Sequence, residues 1–295
     1  MSEEIKFSYG GQAVIEGVMI RGRKNFSVAV RATDNSIVTA SEPLNPLFTG
    51  YIRSIPVIRG VLVLLEALIL GVKSLNLSAQ LAIQSETNTP DSGLSAWLLG
   101  ATVAISLLLG IGMFFVLPLV LVHLVDPWIT SDLMSNTIEG LIRLFILLAY
   151  ISGIGFIRDI KRVFAYHGAE HMAVHAHEAS LPLTTANVRR FQTPHPRCGT
   201  AFLLTVVLVS IVVFAFLGRP DFEWRIASRI LLIPVVAGVS YELIRFSGTH
   251  YNWRISKIIS GPGLLLQRLT TRQPDDLQIE VAIAALNTAI DVDIS

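Results

Sequence analysis

Leu94-Ser95-Ala96-Trp97-Leu98-Leu99-Gly100-Ala101-Thr102-Val103-Ala104-Ile105-Ser106-Leu107-Leu108-Leu109-Gly110-Ile111-Gly112-Met113-Phe114-Phe115-Val116-Leu117-Pro118-Leu119-Val120-Leu121-Val122-His123-Leu124-Val125 contains no Asp, Glu, Lys or Arg. A helix of that length spans a hydrocarbon layer with room for tilt, or for a kink at Pro118. Three further apolar blocks follow: 138 to 157, interrupted by Glu139 and Arg143; 200 to 217; and 226 to 246, with Pro234 and Glu242. The composition of the 295 residues agrees, since only 15% are charged and 52% are hydrophobic. A soluble protein carries about a quarter of charged residues. Mean hydropathy is +0.59. These values argue against a soluble globular domain and exclude an intrinsically disordered chain. A formal charge of +1 rules out a strongly basic nucleic-acid binder, and the single cysteine, Cys198, excludes a disulfide scaffold.

Charge placement orients the blocks. The connection 126 to 137 holds acids and no Lys or Arg, whereas 158 to 199 carries Arg158, Lys161, Arg162, Arg189, Arg190 and Arg197. Basic connections stay inside. The N-terminal part is basic too, with Lys6, Arg21, Arg23, Lys24, Arg31 and Arg53, and Met1 to Gly11 lacks a signal-peptide pattern. The segment 57 to 81 is apolar but interrupted by Arg59, Glu66 and Lys73. A crossing there would contradict the charge bias, so the segment is expected to lie in the interface or to re-enter. The weak point is the connection 218 to 225, which must face out although it holds two arginines.

The expected fold is a mainly α membrane protein of about four transmembrane helices, with a small N-terminal β unit and cytoplasmic helices. Its parts are a cytoplasmic β unit (1–55), an interfacial or re-entrant helix and connection (56–93), two transmembrane helices (94–157), a His-rich cytoplasmic helix and loop (158–199), two more transmembrane helices (200–246) and C-terminal interfacial and amphipathic helices (247–295). In the β unit, 12 to 41, alternation over 26 to 32 and the turn residues Asp34-Asn35 mark strands. Near the C-terminus Tyr251 and Trp253 read as interfacial anchors, and Ser260-Gly261-Pro262-Gly263 as a break. An amphipathic helix is expected from Pro274, with Ile279, Ile283, Leu286 and Ile290 on one stripe.

Chemistry concentrates in Tyr166-His167-Gly168-Ala169-Glu170-His171-Met172-Ala173-Val174-His175-Ala176-His177-Glu178. Alanine favours a helix and Pro182 limits it. At about 100° per residue, His167, His171 and His175 advance round one face by about 40° each, Glu178 returns to that face, and Glu170 lies about 60° to the other side. The rise from His167 to Glu178 is roughly 16 Å, so one ion cannot take every donor; either a subset is used or there are two sites. His167-Gly168-Ala169-Glu170-His171 is an H-x-x-E-H string, in whose chemistry two histidines bind zinc and the glutamate is the general base. Downstream, Pro194-His195-Pro196-Arg197-Cys198 has His-x-x-Cys ligand spacing.

His167, His171, His175, Glu178, His195, Cys198 and Glu242 are therefore the candidate ligands for zinc or another divalent transition metal, with Glu170 as catalytic base. A histidine at a membrane edge is also commonly solvated or hydrogen-bonded, and His177 is read that way. Cys198 is read as a ligand rather than a nucleophile, and Glu66 as an interfacial charge. Glu16 and Arg21 either line the site or belong to a solvated turn. Arg245 is the expected neighbour of Glu242.

Gly10-Gly11-Gln12-Ala13-Val14-Ile15-Glu16-Gly17-Val18-Met19, Tyr166-His167-Gly168-Ala169-Glu170-His171, His195-Pro196-Arg197-Cys198-Gly199-Thr200, Ser240-Tyr241-Glu242-Leu243 and Leu269-Thr270-Thr271-Arg272 occur in that order. Together they resemble the YqhQ-like family of uncharacterised bacterial membrane proteins, labelled as predicted metal-dependent enzymes. The resemblance covers nearly the whole chain. It departs at Met172, where the family usually has a polar or basic residue. It implies a multi-pass protein of the bacterial inner membrane; the charge bias adds cytoplasmic termini. The lipid bilayer is the expected partner, nucleic acid is not, and a homo-oligomer or another membrane protein is compatible with the sequence, which names no substrate. Three functions follow in order: a zinc-dependent hydrolase, a non-enzymatic metal-binding scaffold or regulatory subunit with a closed four-ligand site, and an ion transporter.

Overall fold

A computed structural model describes residues 7–48, 51–84, 96–250 and 253–294. Tyr251 and the whole of the connection 85–93 lie outside the described residues. The N-terminal part is a four-stranded antiparallel meander of β1 (Gly10–Val14), β2 (Gly17–Arg21), β3 (Asn25–Arg31) and β4 (Ile37–Pro43). Asp34 accepts the Ser36 amide and hydroxyl in the turn before β4, and Asn35 takes a left-handed φ of 66° there.

The helices are α1 (Ile58–Gln84), α2 (Ala96–Ile111), α3 (Leu117–Val125), α4 (Asp132–Ile154), α5 (Arg158–Glu178), the single turn α6 (Thr185–Val188), α7 (Gly199–Ala215), α8 (Phe222–Leu231), α9 (Ile233–Thr249), α10 (Arg254–Thr270) and α11 (Asp276–Ile294). Both faces of the sheet are buried. Val18, Ile20 and Ala29 pack on Met172 and Ala173 of α5 and on Ile279 and Leu286 of α11. Val14, Met19, Phe26, Val28 and Val30 pack on Leu70 of α1, with Leu77 and Leu81 alongside. The expected C-terminal stripe thus covers the sheet, with Ile283 and Ile290 partly buried at its margin.

Among the described residues, three helical stretches are long and apolar enough to cross a membrane: Ile58–Leu81, Trp97–Trp128 and Asp132–Ile154. The pair α8 and α9, bent by 46° at Leu232, makes a fourth if taken as one span, and Gly199–Ala215 is apolar but shorter. Two details differ from expectation. First, α1 is one unbroken helix with no re-entrant turn, and Glu66 within it is paired with Arg21 at 3.0 Å and Arg53 at 2.7 Å, which compensates part of the cost of its buried charge. Second, Pro262 lies inside α10 rather than ending it. Close packing against α7 outweighs the local break: a Cβ at Gly263 would sit 2.6 Å from the Ala201 Cβ.

Just before Pro118 the helix carries a π-helical segment, Gly112–Val116, between α2 and α3. Proline has no N–H to bond the carbonyl four residues back. That carbonyl, on Phe114, accepts instead from Arg143 Nε at 2.8 Å. Arg143 belongs to a buried network in which Glu139 accepts from Arg143 at 2.7 Å and from Arg229 at 2.9 Å, while Arg225 reaches Asp126 at 2.5 Å. Arg219 lies 3.6 Å from Asp126 and 3.5 Å from Asp132. The two arginines of 218–225 are therefore held by acids, which answers the objection that their charge raised. Removing one partner of a buried ion pair costs about 3–5 kcal/mol. Glu139→Ala is expected to lower the unfolding midpoint of the purified protein by a corresponding amount; an unchanged midpoint would show that the three arginines are compensated without it.

Candidate metal centre

The histidine helix α5 is placed by backbone contact. At Gly168 a Cβ would lie 2.3 Å from the Arg272 carbonyl oxygen, so only glycine admits the segment after α10. The Arg272 amide donates to the Phe164 carbonyl at 2.9 Å. This approach brings the Thr270 carbonyl to 2.9 Å from His167 Nδ1. On the other side, the loop before α7 sets the Thr193 carbonyl 2.5 Å from His171 Nδ1 and the Pro194 carbonyl 3.0 Å from His175 Nε2. The loop is clamped by the buried Gln267 of α10, which accepts from the His195 amide at 2.7 Å and donates to the His195 carbonyl at 2.9 Å.

A carbonyl only accepts, so each ring nitrogen facing one carries the proton, and in a neutral imidazole the other nitrogen keeps its lone pair. His167 and His171 thus both offer Nε2. His167 Nε2 lies 3.2 Å from Cys198 Sγ. One ligand atom from each of His167, His171 and Cys198 falls within 4.8 Å of the others. Tetrahedral zinc with ordinary bond lengths separates a nitrogen and a sulfur ligand by about 3.5 Å, so this donor set fits such an ion in type and spacing. Cys198 also caps α7, its sulfur accepting the Thr200 amide at 3.3 Å.

His175, Glu178 and His195 form a second group within 4.8 Å. Its donors are already engaged. His195 Nδ1 accepts the Arg197 amide at 3.3 Å, which leaves Nε2–H facing Glu178 at 3.4 Å, and Arg197 pairs with the other Glu178 oxygen. The arrangement is that of a hydrogen-bonded carboxylate more than of an open ion site. The two groups adjoin, with the rings of His171 and His195 5.6 Å apart between centroids.

Glu170 is 3% exposed, accepts the Gly11 amide at 3.0 Å and lies 3.5 Å from His171 Nε2. Burial pushes its carboxyl above the usual range, against the opposing pull of His167, His195 and the Gly11 amide. Burial lowers His171 and His195 and holds His175 down to about 4. These three imidazoles are neutral at pH 7, the form that binds metal. Glu170, His171, His195 and Cys198 line a cavity of about 40 Å3, which has room for water.

Other candidates lie elsewhere. Glu242 joins neither group: Arg59 Nε donates to it at 2.7 Å and the Val57 amide at 3.1 Å, so its partner is Arg59 of α1 rather than the nearby Arg245. The His177 ring stands edge-on to Tyr9 at 5.3 Å. Glu66 is buried in its double ion pair rather than exposed at an interface. Glu16 takes a left-handed φ of 51° in the β1–β2 turn and accepts from Arg162 of α5 at 2.6 Å. Sequence reasoning missed Thr193 and Gln267, whose roles rest on a backbone carbonyl and a long-range contact; Thr270 lay within a motif already singled out.

A family model described as "Protein of unknown function (DUF1385)" matches residues 55–292. The chain is 37% identical over 291 residues to "Uncharacterized protein YqhQ" of Bacillus subtilis (strain 168), covering 95% of this chain and 91% of that protein. No solved structure matches. Neither description assigns an activity or a metal, so the family resemblance stands while its metal-dependent label does not come from these comparisons.

The Glu16 contact yields a pH dependence. The Arg162 hydrogen bond holds the Glu16 carboxyl below its ordinary value of 4.5. A depressed native value gives stability that is present above the unfolded value and lost as pH falls through the native one. Protection factors of the β1–β2 amides, with exchange normalised to the intrinsic rate at each pH, are expected to fall as pH drops from about 6 to about 3, and less so in Arg162→Gln. An identical profile in the variant would show that this contact contributes nothing.

Proposed function

The chain belongs to the DUF1385 family of proteins of unknown function, and from that premise we propose that it is a membrane-bound, metal-dependent hydrolase working at the cytoplasmic edge of the bilayer. The observation that carries the reading is the pair of imidazoles whose Nδ1 protons are taken by backbone carbonyls. Both Nε2 atoms thereby turn toward a cysteine and a buried glutamate, His167 Nε2 lying 3.2 Å from Cys198 Sγ and His171 Nε2 3.5 Å from Glu170. Three protein donors with a cavity next to them is the layout of a catalytic rather than a closed structural site. Zinc held there supplies a water of lowered pKa and a Lewis acid for a carbonyl or phosphoryl oxygen. Glu170 would take up and pass on a proton, a task suited to a buried carboxyl with a raised pKa. The Gly11 amide fixes which Glu170 oxygen stays engaged.

Contacts of the sheet support the membrane arrangement. β1 touches α5 through Gly11 and Glu170, α1 lies on the opposite face of the same sheet, and α11 covers it beside α5. Everything touching the sheet lies on one side, so the chain crosses an even number of times between α1 and α5 and again between α5 and α11. Crossings by α2–α3, α4, α7 and α8–α9 satisfy both conditions; a further crossing by α1 would not. α7, with 17 residues, is about 26 Å long, near the thickness of the hydrocarbon core. The basic charge of 158–199 supports a cytoplasmic position for that side.

Elemental analysis of the purified protein tests the metal. Wild type is expected to carry one zinc or similar ion per chain, with about a tenfold loss of affinity or more in His171→Ala. Glu170→Gln should keep the metal and lose turnover. Absence of stoichiometric metal from wild type would sink the reading. A metal-edge absorption spectrum showing four protein ligands would favour the scaffold alternative, with His195 as the fourth.

A further inference from the structure

We propose that the large cavity beside the histidine cluster binds the oxyanion headgroup of an amphiphile. This cavity, about 830 Å3, lies between the N-terminal sheet, α1 and α9, and its charged lining consists of Arg21, Arg53, Arg59, Arg197, Arg245 and Glu66. Outside the lining, Glu242 pairs with Arg59 and Glu178 with Arg197. Five guanidinium groups against three carboxylates leave two positive charges. The four paired arginines keep between 17% and 38% of their side chains exposed, so they are desolvated only in part and remain open to a further acceptor. Guanidinium forks suit phosphate and carboxylate oxygens.

The remaining wall is mixed, with Ser8, Gln12 and Ser54 among its polar members and an apolar strip on α1. Val63, Ala67 and Leu70 of α1 line the cavity at helical spacing. The neighbouring Leu64, Leu65 and Leu68 are exposed on the outward side of the same helix. A headgroup among the arginines therefore has the apolar strip of Val63, Ala67 and Leu70 beside it, against which the start of a chain can lie. This composition matches a phosphorylated or carboxylated lipid better than a free anion, which would leave that strip unused.

Position ties the cavity to the chemistry. Gly10, Gly11 and Arg197 line both this cavity and the small one containing Glu170, His171 and Cys198. A headgroup held here would lie next to the candidate metal donors. The inference deepens the hydrolase reading by naming the substrate class, and it rests on that reading only for what happens after binding.

The test uses the full chain in neutral detergent and measures binding directly. The probes are micelles doped with dioleoyl phosphatidylglycerol, micelles doped with dioleoyl phosphatidylcholine, and inorganic phosphate alone. Phosphatidylglycerol is expected to bind about tenfold or more tightly than either of the others. Arg53→Gln with Arg245→Gln should weaken it by about tenfold, and the exposed Arg245→Gln alone by a smaller but measurable factor. The single variant guards against a folding defect in the double one. Equal affinity for the two lipids would overturn the proposal, as would unchanged binding in a folded double variant. Phosphate binding as tightly as the anionic lipid would overturn the amphiphile and leave a free phosphate ester as the ligand. All arms are repeated with chelator and in His171→Ala, where lipid binding is expected to persist, so failure of the metal reading shows separately in the elemental analysis.

Discussion

Burial of the N-terminal sheet on both faces is the constraint from which the rest of the architecture follows. A sheet with Val18 and Ile20 on one side and Met19, Val28 and Val30 on the other cannot leave either side in water. α5 and α11 satisfy one face and α1 the other. These contacts join residues from opposite ends of the chain; the Arg23 amide, for example, donates to Asp293 at 2.9 Å. They also recruit α1, whose length and composition alone would suit a membrane span, onto the sheet face opposite α5 and α11.

The site is assembled by backbone more than by side chains. His167, His171 and His175 come from one helix, but their orientation comes from carbonyls at Thr193, Pro194 and Thr270, on two separate segments. Those segments are held in turn by Gln267 and by the contact at Gly168. Such outer partners fix the tautomer and aim of a metal-binding imidazole. Because α10 supplies both Gln267 and Thr270, the orientation of the candidate ligands depends on a helix that carries none of them.

How much of this was legible in the sequence depended on the range of the signal. The uncharged block 94–125, the strand alternation and the helical spacing of His167, His171 and His175 are local patterns, and the structure has an apolar helical stretch, strands and a histidine helix at those places. The grouping of His167 and His171 with Cys198, and of His175 and Glu178 with His195, was within reach of spacing arguments but not fixed by them. The Glu242 partner was misread because Arg245 is near in sequence, whereas Arg59 approaches only when α1 packs on α9. The Pro262 break failed because propensity is a weak local bias that tertiary contact overrides. Arg225 is visible in the sequence only as a charge of the 218–225 connection, and Arg229 is not singled out there at all; their acids, Asp126 and Glu139, are far away in sequence.

The two charge-rich regions of the molecule are opposite in kind, which bears on where chemistry can occur. At the Glu139 network the side chains of Glu139, Arg143, Arg225 and Arg229 are almost completely enclosed, and the acids are each engaged by more than one donor. Charges so enclosed are costly to move or to unpair, so this network suits a structural clamp between α4, α8 and the interrupted helix at Phe114. Around the histidine helix the opposite holds. Two imidazole nitrogens keep their lone pairs, one carboxyl is buried with a raised pKa, and the adjoining arginines outnumber their acids. Lone pairs and partly exposed guanidinium groups next to a cavity are what a ligand can use, whereas enclosed, paired charges resist one, even though Arg225 Nε in that network has no hydrogen-bond partner. The ion-transport alternative needs a mobile charge path through the apolar helices, and the charges found there are the ones most firmly held.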